Sequence, residues 1–161
     1  MTPLVDIEIA FEEPAWEPLD LPCIAKSACL AGATAVGLNI PLQVSILASN
    51  DAHMAKLNAE FRDKDAATNV LSWPSEDLSA APGSRPRAPQ DPEIGDIALS
   101  FETCTREAAA QGKTVHDHVT HLVLHGFLHL LGYDHVRDED ATVMEELEIK
   151  ALETLGIENP Y

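Results

Sequence analysis

The chain has 161 residues, and its 27 Asp and Glu residues outnumber its 10 Lys and Arg residues, which gives a formal net charge of −17. This length suits a single domain covering residues 1–161. A content of 45% hydrophobic and 23% charged residues is typical of a soluble globular protein and excludes a disordered acidic chain. Because so much negative charge repels phosphate backbones and anionic membranes, composition alone argues against a nucleic-acid partner.

The sequence also disfavours membrane insertion, secretion and disulfide chemistry. No apolar run approaches the ~20 residues that a membrane span needs. The first residues lack the basic start and the apolar stretch of a secretory signal. The cysteines, Cys23, Cys29 and Cys104, are odd in number and form no C-x-x-C pair. We therefore expect a cytoplasmic protein whose thiols are buried and reduced.

Two hydrophobic periodicities, the alternation typical of strands and the spacing typical of helices, predict the elements in chain order. They give a strand at 5–9, a helix at 24–36, a strand at 43–47, a helix from Asn50 or Asp51 through Phe61, strands at 68–74 and 94–100, and helices at 101–111, 115–131 and 141–155. Asp138 is a suitable cap for the last helix. Because strands and helices do not alternate strictly, we expect an α+β layer structure and not a doubly wound sheet.

Residues 75–92 separate two of the predicted strands and contain four prolines together with Gly83, Arg85 and Arg87. This composition predicts a mobile loop. Its length is unusual for a compact domain, which leaves two interpretations, a functional flap or a tolerated insertion.

Six of the seven histidines lie between positions 116 and 135, and three of them have the spacing of a metal site. His125 and His129 are four residues apart and share one face of the predicted helix. Gly132 then ends the helix, so that the chain can turn and bring His135 to the same point. Three neutral imidazoles with one open position are the ligand set of a catalytic zinc ion.

The same spacing matches the metzincin protease pattern H-E-x-x-H-x-x-G-x-x-H at each ligand and at the glycine. The glutamate that acts as general base in that pattern is replaced by Gly126, which cannot accept a proton. The zinc site is therefore retained as a prediction, whereas a protease activity loses most of its support.

Arg62 and Lys64 are two of the few basic residues in this acidic chain, and both are candidates for binding an anion. A guanidinium can hold a phosphate through two parallel hydrogen bonds and can stabilise developing negative charge. Alternatively, Arg62 forms a structural ion pair with Asp63, Asp65 or another nearby acidic residue.

The remaining histidines carry weaker predictions. His121 lies one turn before His125, as either a group facing the substrate or a packed side chain. His118 lies further back on the same face, and His53 and His116 are taken as ordinary structural histidines.

These residues resemble the YbeY-type endoribonucleases, bacterial rRNA maturation factors. The segment H-G-F-L-H-L-L-G-Y-D-H at 125–135 matches the family's zinc signature throughout. The segments at 58–74, 94–97 and 156–161 are similar to further family blocks, so the resemblance covers about 44–161. Trp73 and Asn69 stand where Phe and Asp are common in the family.

The resemblance implies a small α+β domain in which helices flank a mixed β-sheet and the zinc-binding helix is central. It also implies a cytoplasmic, metal-dependent hydrolase of single-stranded rRNA that acts in 16S rRNA 3′-end maturation and ribosome quality control. By carry-over, His125, His129 and His135 bind one Zn²⁺ per chain, and Arg62 is the arginine of the catalytic cleft. Expected partners are single-stranded rRNA and the ribosome, its proteins or an assembly GTPase, with no membrane and no DNA.

The residues leave two points open between alternatives: the general base of the reaction and the functional class of the protein. We expect Zn²⁺ and Arg62 to act on an RNA phosphodiester, with the general base open between His121 and the hydroxide that a metal supplies. The competing hypotheses are a zinc peptidase or amidase, and a ribosome-assembly binding factor whose zinc is purely structural.

The charge distribution bears on how RNA is bound. The acidic residues are concentrated toward both ends, whereas eight of the ten basic residues lie in the middle of the chain. This distribution permits an RNA substrate but provides no broad basic surface. We therefore expect weak affinity for isolated RNA at physiological salt, with a partner supplying the remaining binding energy.

Overall fold

A computed structural model of the chain describes residues 4–62, 66–81 and 84–161. Within these residues there are four strands, five α-helices and one short 3₁₀ turn at Pro14–Trp16. The strands are β1 (Val5–Phe11), β2 (Leu42–Ser49), β3 (Val70–Pro74) and β4 (Glu93–Ser100). The helices are α1 (Leu21–Val36), α2 (Asp51–Arg62), α3 (Phe101–Ala110), α4 (Val115–Leu130) and α5 (Asp138–Thr154).

The four strands form one mixed sheet in the order β1-β2-β4-β3. β1 pairs with β2 and β2 with β4 in parallel, whereas β3 runs antiparallel to β4. In this register Ile9 lies beside Ile46, and Ile46 lies beside Ile97. The α+β architecture with a mixed sheet is therefore confirmed.

The two faces of the sheet contribute to different hydrophobic clusters, because alternate residues of a strand point to opposite faces. Ile97 and Leu99 of β4 belong to the main core with residues of α1, α4 and α5. Ala98, between them, belongs to a smaller cluster with Met54 of α2 and Leu71 of β3. α4 contacts α1, α3, α5, β3 and β4, so the helix that carries the clustered histidines is central to the fold.

The predicted element boundaries agree with the structure to within about three residues, with identifiable reasons for the differences. α1 begins at Leu21, because Pro22 is tolerated in the first turn of a helix, where its missing N–H is not needed. α5 begins at Asp138 with Arg137 as its N-cap, so the prediction of Asp138 as the cap was wrong by one residue.

The 3₁₀ turn and its tryptophan were not predicted. Trp16 is fully buried, its indole Nε1 donates a hydrogen bond to the carbonyl oxygen of Ser49 at 2.8 Å, and its ring packs edge-to-face on Phe101. One aromatic residue among prolines and acids has no periodicity, so its tertiary anchoring role leaves no local signal.

The cysteines only partly follow the prediction. Cys29 and Cys104 are buried, and burial raises the pKa of both thiols, which keeps them protonated. Cys23 is exposed, so the expectation that it is buried was wrong. It lies on α1 beside Pro22, on the side of the helix that faces away from the core.

The described parts of the segment 75–92 contain no helix, and strand β4 begins only at its end, as expected of a loop. The Glu76 carboxylate accepts hydrogen bonds from the backbone N–H groups of Gln90 and Asp91, and Leu78 is buried. Arg137 Nη2 donates to the carbonyl oxygen of Ala80 at 3.2 Å, which ties the loop to the start of α5. Pro82 and Gly83 lie outside the described residues, and the mobility of this loop stays a prediction.

No helix in the described ranges is long and apolar enough to cross a bilayer.

Asp51, in the first turn of α2, joins this helix to the junction of β4 and α3. Its Oδ1 accepts hydrogen bonds from the hydroxyls of Ser100 and Thr103, and its Oδ2 lies 3.0 Å from Arg106 Nη1. Burial alone raises the pKa of Asp51, but these hydrogen bonds and the charge of Arg106 together hold it below its ordinary value of 3.8.

Replacing Asp51 by Asn is expected to lower the free energy of unfolding by about 1–2 kcal/mol near neutral pH, because charge-assisted hydrogen bonds are lost. Since folding depresses this pKa, the stabilisation is complete above the ordinary carboxyl pKa and is lost as the pH falls through the folded-state value. Urea unfolding across the acid range should show the difference between wild type and Asp51→Asn shrinking below about pH 4. A difference that stays constant into strong acid would contradict this assignment.

Candidate metal centre

Three histidines come together where α4 ends. His125 and His129 lie one turn apart on α4, and Gly132, at φ +100°, takes the left-handed turn that brings His135 back toward them. One ligand atom from each of the three residues lies within 4.8 Å of the others. The ring of His135 is 5.3 Å from that of His125 and 5.1 Å from that of His129, measured between centroids.

Hydrogen bonds on the far side of two of these rings determine which nitrogens face the centre. His125 Nδ1 lies 2.5 Å from Glu148 Oε1, and His129 Nδ1 lies 2.9 Å from the carbonyl oxygen of Tyr133. Because both partners only accept, each Nδ1 carries the proton and each Nε2 presents a lone pair. The two Nε2 atoms are 3.0 Å apart, and two lone pairs at this distance repel unless a cation lies between them.

This donor set fits a divalent metal ion. Three neutral imidazoles are the ligands that zinc takes in open sites, although they also suit other divalent ions of the first transition row. Burial, together with the neighbouring His125 and His135, lowers the pKa of His129 to about 4, so this ring is neutral and able to coordinate at neutral pH. Among the described residues, no fourth His, Cys, Asp or Glu joins the cluster.

Glu148 is the residue of this site that sequence reasoning missed. It lies on α5 with 0% of its surface exposed, and both carboxylate oxygens face the site. Oε1 pairs with His125, and Oε2 accepts a hydrogen bond from the hydroxyl of Tyr161. Burial alone would raise the pKa of Glu148, but the neighbouring His121 and the bonds from His125 and Tyr161 lower it to about 2. The carboxylate is therefore ionised.

A wide cleft of about 1280 Å³ opens over the histidines and contains the other predicted site residues. Arg62, at the end of α2, lines this cleft, and its only hydrogen bond within the described residues is a long one of 3.4 Å to the carbonyl oxygen of Ser72. It forms no ion pair with any described residue. Lys64 and two of the proposed alternative partners, Asp63 and Asp65, lie outside the described residues.

His121 also lines the cleft, between the metal centre and Tyr161. Its ring packs edge-to-face on that of Tyr161, with 5.8 Å between centroids, and its Nε2 lies 3.7 Å from Glu148 Oε1. This separation is too long for a hydrogen bond, so neither ring nitrogen has a hydrogen-bond partner among the described residues. Both ring nitrogens are themselves buried, although the residue lines the cleft.

The other histidines are held by acidic side chains away from the centre. The buried His118 bonds through Nε2 to Glu107 Oε1 at 2.9 Å. His116 is paired with the adjacent Asp117, and His53 with Glu12.

Gly126 occupies the position of the metzincin glutamate and faces the sheet. A Cβ atom at this position would lie 3.3 Å from two side-chain atoms of Ile97, which is fully buried on β4. The absence of a side chain therefore allows α4 to pack closely against the sheet.

An α+β fold with a three-histidine centre in an open cleft defines a candidate metal-dependent hydrolase. Comparison with known proteins identifies the family within this class. The family model described as endoribonuclease YbeY matches residues 17–156. The chain therefore belongs to the YbeY endoribonuclease family, a family of enzymes, as the resemblance of its motifs implied.

Individual relatives agree with this assignment. The endoribonuclease YbeY of Ruegeria pomeroyi is 51% identical over 162 residues, covering 96% of this chain and 97% of the relative. That of Dinoroseobacter shibae is 53% identical over 164 residues, covering 96% and 90%. The solution structure of TM1509 from Thermotoga maritima is 20% identical, with a TM-score of 0.57 over 93% of this chain and 91% of that one, and shows the same fold.

Proposed function

We propose that this chain is a single-domain, cytoplasmic endoribonuclease that cleaves phosphodiester bonds of single-stranded rRNA with a zinc ion held by His125, His129 and His135. The proposal includes 16S rRNA 3′-end maturation and ribosome quality control as its biological setting. The observation that carries it is the pair of Nε2 atoms of His125 and His129, 3.0 Å apart in the wall of a cleft that also contains Arg62. The relatives named as endoribonucleases over nearly the full chain support it.

The protein's own residues have separate tasks in this reaction. A divalent cation bound by three imidazoles supplies Lewis-acid polarisation of a phosphoryl oxygen and lowers the pKa of water. Arg62 binds the phosphate in the same cleft and stabilises the negative charge that develops there, which its lack of an ion pair among the described residues permits. His121 lines the cleft with both ring nitrogens buried and without a hydrogen-bond partner among the described residues, and it is the candidate for moving a proton at the scissile bond.

The charge of the molecule favours a substrate delivered by a larger assembly. With a net charge of −17, the chain repels RNA at long range, and only local groups such as Arg62 oppose this effect. We therefore include the ribosome, a ribosomal protein or an assembly GTPase as the partner that brings the rRNA strand to the cleft. Nanomolar binding of the isolated chain to generic single-stranded RNA would contradict this part.

The test of the proposed function is cleavage of single-stranded rRNA fragments by the zinc-loaded protein, compared with the same sequences in a duplex. Replacing Arg62 by Ala is expected to reduce kcat/KM by about 100-fold, because a preorganised donor to the transition-state charge is lost. Arg62→Lys should recover only part of this loss, since an ammonium cannot form the bidentate contact. The melting temperature should change little, because Arg62 is exposed and weakly bonded.

Lys26→Ala is the matched control, because it removes the same charge from an exposed position on α1, a helix that does not line the cleft. Cleavage that persists unchanged in Arg62→Ala would show that this cleft is not the nuclease site. Hydrolysis of a peptide library by the zinc-loaded wild type, with RNA left intact, would favour the peptidase hypothesis instead.

A further inference from the structure

A carboxylate lies fully buried directly behind the candidate metal centre, where three elements meet. Glu148 projects from α5 toward α4, and its oxygens contact His125 of α4 and Tyr161 of the segment that follows α5. A carboxyl group buried away from water destabilises a fold unless its oxygens are paired. Glu148 lies among the buried apolar residues of α5, so its presence there calls for an explanation beyond packing.

We propose that Glu148 and Tyr161 are positioning residues for the metal ligand His125. Glu148 holds the proton of His125 on Nδ1, which directs the Nε2 lone pair into the metal centre, and Tyr161 fixes the carboxylate that does so. This inference rests on the proposed metal centre and adds to it the residues that set its geometry.

The two helical ligands are oriented by different means, which explains why His125 needs a side chain from another element. His129 lies at the end of α4 and donates to the carbonyl oxygen of Tyr133 in the turn that follows. His125 lies four residues earlier, where the surrounding carbonyl groups are engaged in helical hydrogen bonds. Only a group from a neighbouring element can accept from its Nδ1, and Glu148 of α5 does so at 2.5 Å.

Tyr161 does not contact His125 through a hydrogen bond but binds the second carboxylate oxygen of Glu148. Its hydroxyl donates to Glu148 Oε2, and its ring rests edge-to-face on His121, so it closes the side of the carboxylate that faces the cleft. Among the described residues it is the only hydrogen-bond donor to Oε2. Without this bond Oε2 has no hydrogen-bond donor among the described residues.

The experiment measures zinc affinity of the full chain by competition with a chromophoric chelator, independently of RNA cleavage. Glu148→Gln is expected to weaken zinc binding by roughly tenfold to 100-fold, the range for outer partners of metal-bound histidines. Tyr161→Phe should weaken it by about threefold, because one hydrogen bond to the orienting group is lost. Glu146→Gln removes the same charge from an exposed position on α5 and should leave the affinity unchanged.

Two further measurements separate positioning from a structural role. The loss caused by Tyr161→Phe should disappear in the Glu148→Gln background, because Tyr161 acts through Glu148. Nitrogen-15 NMR of the metal-free chain should show His125 as the Nδ1–H tautomer in wild type and as a mixture in Glu148→Gln. If Glu148→Gln does not fold, Tyr161→Phe, at a largely exposed residue, provides the affinity test.

Two results would overturn the proposal. One is wild-type zinc affinity in Glu148→Gln combined with a lowered melting temperature, which would make the carboxylate merely structural. The other is a full threefold loss from Tyr161→Phe without Glu148, which would remove the coupling. A wild type that binds zinc but leaves RNA intact would contradict the proposed function and not this inference.

Discussion

Replacing His129 by alanine is expected to abolish high-affinity zinc binding and to reduce RNA cleavage by more than the roughly 100-fold that loss of an outer partner causes. The reason is geometric: His129 contributes one of the two Nε2 atoms that face each other at 3.0 Å, and no other described ligand can take its place. Zinc content measured by atomic absorption and cleavage of a single-stranded rRNA fragment check the two halves of this prediction. Chelation of the wild type should reproduce the loss, and added zinc should reverse it.

His116→Ala is the matched control, because His116 is exposed on the same helix and the only described hydrogen bond of its side chain is to Asp117. It should retain both zinc and activity. Full activity in His129→Ala would exclude the three-histidine centre from the reaction. Lost activity with zinc still bound tightly would show that His129 is not a ligand.

Gly95→Ala is expected to have the largest effect on stability, lowering the free energy of unfolding by about 3 kcal/mol or more. Gly95 has a φ of +139°, and a Cβ atom there would lie 2.2 Å from the carbonyl oxygen of Trp73 on the paired strand. β3 and β4 would have to separate at this point, just beyond the Ser72 carbonyl that accepts the hydrogen bond from Arg62. The effect would therefore extend from the sheet to the cleft.

Comparison with Gly37→Ala separates the effect of the close contact at Gly95 from the effect of a positive φ, which both glycines share. Gly37 also has a positive φ, of +83°, but a Cβ atom there would meet nothing within 4 Å, so only conformational strain of about 1 kcal/mol is expected. Urea unfolding of both variants tests the difference. An equal loss in the two would contradict the role of the Trp73 contact, whereas failure of Gly95→Ala alone to fold would agree with it.

Most elements of the fold, and the three histidines, could be predicted because their signals are local. Helical spacing placed His125 and His129 on one face, and Gly132 marked the turn that leads to His135. The strand order β1-β2-β4-β3 could not be read from the residues, because which strands pair depends on contacts between distant segments.

Glu148 and Tyr161 illustrate what local reasoning overlooks. In α5 the core-facing positions follow helical spacing, and Glu148 lies within this apolar stripe. They are Met144, Leu147, Glu148, Ala151 and Leu152. A lone acid in such a stripe indicates a buried partner, so a signal was present. Its partner was not predictable, since His125 lies on a different helix and the contact exists only after the helices pack.

The packing of Gly126 against Ile97 has an evolutionary consequence. The motif of this chain has the ligand spacing of a zinc-protease motif and differs from it only in the residue at position 126, as if one substitution separated two chemistries. In this fold, however, a glutamate at 126 would force its side chain into the contact between α4 and β4, where even a Cβ atom is tight. A lineage that acquired the general base in this way would loosen the central helix that holds its metal ligands. The two motifs thus differ by one residue, but the packing of the core opposes the change from one to the other.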